Sequence, residues 1–200
     1  FFKMTDISNI YNKMLSNGKK DYERVGWGSL ESQEKRFHIL TKIGDLNNCS
    51  ILDVGCGLGS YFEYVNAIFE KVLYTGTDIN SKMISEAQLR YTETEFVHTD
   101  ITSSSHSLSG RKFDYIFLSG ALNLSEDGHN KIIKSVMNTM FEMANKGIAI
   151  NFLSIFSDYI SPGEFYCNPI DMIEVAFSLS RKVTLRHDYM PHDFTIYIYK

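Results

Sequence analysis

The chain has 200 residues, 44% of them hydrophobic and 22% charged, with 20 lysines and arginines against 24 aspartates and glutamates for a formal charge of -4. That composition fits a globular chain able to bury one core and excludes the collagen-like and disordered classes. The acidic balance, without a long basic run, argues against a protein that grips nucleic acid through its phosphates.

Cys49, Cys56 and Cys167 show no CxxC spacing, so neither a disulfide framework nor a metal site is expected. No apolar stretch approaches the roughly 20 residues that span a bilayer. The start, "FFKMTD", lacks a charged region followed by an apolar core. A cytoplasmic protein without a membrane partner is expected.

In chain order, "TDISNIYNKMLSNG" places Ile7, Ile10, Tyr11 and Leu15 at helical spacing and closes on Asn-Gly, which predicts a helix and its stop. A polar link, "KKDYERVGWGS", follows. "LESQEKRFHILTKIG" then sets Leu30, Phe37, Leu40 and Ile43 on one helical face, with Gly44 as end cap. From residue 50 the period changes, and "SILDVG", "KVLYTGTD", "EFVHTD", "FDYIFLSG" and "GIAINFLS" read as short buried strands. Helical stretches, "SYFEYVNAIFEK", "SKMISEAQLRY" and "NKIIKSVMNTMFEMANKG", separate several of them, and residues 99–111 read as a loop or a short helix.

Strand and helix in alternation predict a parallel sheet with helices on both faces. The end of the chain departs from this: after "NPIDMIEVAFSLS", only "PH" separates "KVTLRHDYM" from "DFTIYIYK". So short a link permits a hairpin and no crossover, so the seventh strand runs antiparallel to the sixth. With no linker or repeat, residues 1–200 read as a single domain, a helical cap over 1–49 and an α/β core over 50–200.

"ILDVGCGLGS" joins a buried strand to a helix through three glycines, where a ligand can approach the backbone and meet the free N–H groups of the helix start. Asp78 ends the second strand where an acid of a βαβ unit bonds ribose hydroxyls, and Asp100 ends the third. A nicotinamide dinucleotide is the rival ligand. Its G-x-G-x-x-G pattern is broken by Ser60 at the third small position, and it calls for no acid where Asp53 stands.

These residues resemble the class I methyltransferases that use S-adenosylmethionine. Their first motif, an apolar pair then Asp-x-Gly-x-Gly-x-Gly, is reproduced by "ILDVGCGLG", and "TGTDIN", "HTDIT" and "FDYIFLSGALN" are similar to the motifs of their next strands. The resemblance covers residues 50–200 and implies a three-layer α/β sandwich, seven strands in the order 3-2-1-4-5-7-6, the last antiparallel. It also implies that Gly55, Cys56, Gly57 and Gly59 pass under the donor's methionine portion and that Asp53 helps hold its ammonium. Asp78 would bind the ribose, Ile79 and Met83 would pack on adenine, Asp100 with Ile101 would read the adenine edge, and Ser119 and Gly120 would line the floor near the sulfonium. Arg36 stands where some relatives hold the donor's carboxylate; the alternative is a solvated arginine on the helix surface.

Methyl transfer is an in-line displacement, so the protein's main tasks are alignment and exclusion of water, with a base needed only for some acceptors. The "RHDYMPHDF" turn offers His187, Tyr189 and His192 as candidates, because histidine titrates near neutrality; the alternative is a polar hairpin that satisfies its own backbone. Tyr22, Trp27, Tyr159 and Tyr166, in two aromatic stretches, are candidates for a lid that closes over the sulfonium. The expected function is methyl transfer from S-adenosylmethionine, leaving S-adenosylhomocysteine, to oxygen or nitrogen of a small molecule. The alternatives are an RNA or protein methyltransferase, or a protein that binds the donor without turnover.

Overall fold

The predicted alternation is built as one seven-stranded sheet in the computed structural model, which describes residues 4–124 and 128–200. Residues 1–3, part of the start weighed for a leader, lie outside it. β1 Ser50–Val54, β2 Leu73–Asp78, β3 Glu95–His98, β4 Phe113–Ser119, β5 Ala144–Leu153, β6 Val183–Met190 and β7 Asp193–Tyr199 lie in the order β3-β2-β1-β4-β5-β7-β6. β1 to β5 pair in parallel, and β7 is antiparallel to both β5 and β6. The order and the closing hairpin are those expected.

Successive residues of a strand face opposite sides of a sheet, and each side carries its own helices. Leu52, Ile116 and Ile148 pack with Ile133 and Met137 of α6 His129–Met143 and with Met172 and Ala176 of α7 Pro169–Leu179. Ile51, Phe117 and Ala149 pack with Leu40 of α3 Leu30–Thr41, Val65 of α4 Ser60–Ile68 and Ala87 of α5 Ser81–Arg90. Burial on both faces explains why the central strands read as apolar runs rather than as alternation.

Two details differ from the expectation, and residues 99–111 take the looped form of the two expected. The polar link contains a one-turn helix, α2 Asp21–Arg24, which follows α1 Met4–Asn17. Arg24 donates to both oxygens of Glu86 at 2.6 and 2.7 Å, and Arg90 donates to Asp21 at 2.6 and 3.0 Å, so contacts with α5 hold this turn. The helix after β4 stops at Met143 because Ala144 already pairs with Phe113 in the sheet, so ladder bonds override helical propensity there. Residues 99–111 form a succession of turns, in which Asp100 accepts from the Thr102 N–H and hydroxyl at 2.8 and 2.7 Å.

Candidate functional site

The chain leaves β1 for β2 and β3 on one side and returns to β4 on the other, which makes the carboxyl ends of β1 and β4 the point where strand order reverses. Open α/β sheets bind ligands at such a point. A cavity of about 240 Å³ lies there, lined by Gly55, Cys56 and Gly57 after β1 and by Ser119, Gly120 and Ala121 at the end of β4. Gly55 has φ +75°, and a Cβ on it would come within 2.2 Å of the Ala121 Cβ, so only glycine fits on both counts. Gly59 serves a different purpose from the one expected. It is absent from the cavity wall, caps α4 in a left-handed conformation, and a Cβ there would meet the Tyr91 ring at 2.8 Å.

Three carboxylates reach this cavity from adjacent strands. Asp53 is 2% exposed and accepts the Tyr74 hydroxyl at 2.6 Å. Burial outweighs that bond and, with Asp78 nearby, pushes the Asp53 carboxyl up to about 7. Asp78 accepts the Gly57 N–H on one oxygen at 3.0 Å and the Asn80 N–H on the other at 2.8 Å, while burial raises its pKa. Those two bonds fix the glycine turn to the end of β2. Asp100, Ile101, Met83 and the half-exposed Ile79 complete this side.

The cap closes the opposite side. Ile7, Tyr11 and Met14 of α1, Trp27 of the link and Gln33 and Phe37 of α3 face the cavity. Close approach to bare backbone makes this possible: a Cβ on Gly57 would lie 3.0 Å from Val25 Cγ1, and one on Gly120 2.8 Å from the Trp27 ring. The Ser119 hydroxyl is buried and has no hydrogen-bond partner among the described residues. Tyr11, whose hydroxyl is held well above its ordinary pKa by burial and by the fields of Asp78 and Glu164, was read in the sequence only as a face of a helix. Gln33, His129 and Glu164 also line the cavity without having been anticipated.

Arg36 is neither of the two things expected. It is 4% exposed and outside the cavity wall, its guanidinium bonded to Asp193 and Ser32 and packed over the Trp27 ring at 4.6 Å. The pairing arises because α3 lies against the sheet where β7 begins. The hairpin candidates also lie off the cavity: His187 bonds Ser154 Oγ at 2.9 Å and stacks on Phe194, Tyr189 bonds Thr195 at 2.8 Å, and His192 sits 3.4 Å from Asp193. The physical reason is sheet order. β6 ends at the expected edge, but as the outermost strand, with β4, β5 and β7 between it and β1. Of the four lid aromatics, Trp27 lines the cavity, Tyr159 is 70% exposed, Tyr22 lies on α2, and Tyr166 stands behind Glu164.

Residues 51–142 match the family model described as a methyltransferase domain. The chain thus carries a methyltransferase domain and is similar there to the class I S-adenosylmethionine-dependent methyltransferases. A relative named "Putative methyltransferase Rv1506c", from Mycobacterium tuberculosis, is 27% identical over 158 residues, 76% of this chain and 93% of that protein. Two solved methyltransferases share the fold of this one. Magnesium protoporphyrin IX methyltransferase from Synechocystis, with bound SAH, superposes with a TM-score of 0.70 at 15% identity over 98% of this chain and 100% of its own. The N-methyltransferase NodS from Bradyrhizobium japonicum, in complex with SAH, gives 0.67 at 14% identity over 96% and 97%. A methyl donor of this class fits the methyltransferase site: its ammonium would meet a buried carboxylate, Asp53, that no cation among the described residues neutralises.

Proposed function

We propose that this methyltransferase is a single-domain enzyme, with a cap over 1–49 and a core over 50–200, that methylates oxygen or nitrogen of a small-molecule acceptor. Bound S-adenosylmethionine would supply a methyl group already activated by a sulfonium. Asp53 holds the donor's ammonium by a charge-assisted bond, Gly55, Cys56 and Gly57 give room for its methionine portion, Asp78 takes the ribose hydroxyls, and Asp100 with Ile101 faces the adenine. Ser119 and Gly120 form the floor beneath the reacting centre. The cap keeps water out and holds the acceptor in line, which is most of what this displacement asks of a protein. The observation that carries the reading is the uncompensated Asp53 beside a glycine turn at the point of strand reversal.

Calorimetric titration tests it. S-adenosylmethionine should bind and NAD should not, and Asp78→Ala should weaken the donor by about 1 to 3 kcal/mol through lost hydrogen bonds. NAD binding alone would refute the donor assignment. Donor binding without turnover on any small acceptor would leave a binding protein in place of an enzyme.

A further inference from the structure

The acceptor side of the cavity has a chemistry of its own. No lysine or arginine lines the cavity among the described residues, and its histidine, His129, donates from Nε2 to the Leu122 carbonyl at 2.9 Å while burial lowers its pKa. An anionic acceptor would enter without a counter-charge, at a desolvation cost nothing there offsets. Glu164 faces the same space from the segment between β5 and α7, joined to Leu124 by an isolated β-bridge. Its carboxylate is held in place: the Tyr166 hydroxyl accepts the Ser161 N–H at 3.0 Å and donates to Glu164 Oε2 at 2.7 Å. A second feature points to a polar guest. Gln33 is 3% exposed and lines the cavity with its polar amide. Leu122, Leu124, Ile132 and Trp27 supply apolar wall around these groups.

We propose that the acceptor is a small amine with an apolar body, its ammonium held by Glu164 and Gln33, and that Tyr166 is the residue that positions Glu164. This rests on the donor assignment above. The acceptor nitrogen gives one proton to the Glu164 carboxylate, and its freed lone pair forms the new N–CH3 bond as the S–CH3 electron pair stays on sulfur. The product leaves as a methylammonium with S-adenosylhomocysteine, and Glu164 returns its proton to solvent. Tyr166, read in the sequence as a lid, thus acts one step behind the carboxylate.

The test uses the whole chain saturated with S-adenosylhomocysteine, so that no turnover occurs, and titrates it with three probes of one shape: phenethylamine, phenethyl alcohol and phenylacetate. The amine should bind and the acid should not. Glu164→Gln should weaken the amine about tenfold and Tyr166→Phe less, with S-adenosylhomocysteine affinity unchanged as evidence that both variants are folded. Binding of the alcohol or the acid as tight as the amine, no binding of the amine, or an unchanged amine affinity in Glu164→Gln overturns the proposal. A wild-type chain that fails to bind S-adenosylhomocysteine refutes the donor assignment instead, and this proposal with it.

Discussion

Asp53 and Asp193 are both buried carboxylates, 2% and 1% exposed, and they have opposite solutions to the same problem. Asp193, at the start of β7, meets the buried Arg36 guanidinium and lies 3.4 Å from His192, so its counter-charge comes from the chain itself. Asp53, at the end of β1, has one tyrosine hydroxyl and no cation, and its carboxyl is pushed up to about 7. A buried acid with an internal partner contributes to architecture. One without a cationic partner, at the wall of a cavity, is where the proposed donor's ammonium would be held.

Arg36→Met should break the first arrangement at the largest cost, about 3 to 5 kcal/mol of stability, because it leaves Asp193 buried without its guanidinium partner and with only His192 beside it. Denaturant unfolding measures this, and the double variant with Asp193→Leu should recover most of the loss; a single-variant cost under about 1 kcal/mol would show that the pair is only a contact. Trp27 loses its cationic partner in the same variant, so the cap should open more readily in hydrogen exchange.

Asp53→Asn should cost less in binding, about 2 kcal/mol of donor affinity, the worth of a hydrogen bond to a charged group. The sign with pH is opposite for binding and stability. Asp53 must ionise to meet an ammonium, so donor affinity in the wild type should rise as pH passes through about 7, with a proton released that calorimetry in two buffers detects. The raised carboxyl favours the free fold below its ordinary 3.8, and that advantage is lost as pH rises through about 7. Asp53→Asn should flatten both profiles; an unaltered affinity profile would move the donor's ammonium elsewhere.

The smallest effect is expected at the hairpin. His187→Ala should lower stability by about 1 kcal/mol, since the fully buried Ser154 loses its side-chain partner, and should leave donor binding unchanged. A loss of turnover with intact binding would return His187 to the list of bases.

Short-range patterns carried most of the fold into view. Runs such as "ILDV" and "FDYIFLS" are apolar because both faces of a parallel sheet are covered, and the two-residue link at Pro191 and His192 dictated an antiparallel last strand. The cavity wall around Asp53, Asp78 and Asp100 was legible for the same reason, since a residue at the end of a parallel strand arrives at a known edge of the sheet. Gly59 was legible as a glycine but not in its task, because the Tyr91 ring that requires it comes from a later helix end.

Everything that depends on which distant segments meet had to come from the folded chain. Arg36 and Asp193 are 157 residues apart, and nothing local to either marks them as partners. Tyr11, Gln33 and Glu164 meet at one cavity from α1, α3 and the segment after β5, because the cap folds back over the glycine turn. Periodicity and turn chemistry act over a few residues and therefore set the elements and their order. Charge compensation and cavity lining act through space, so tertiary packing alone decided which acids are paired inside the chain and which face the cavity.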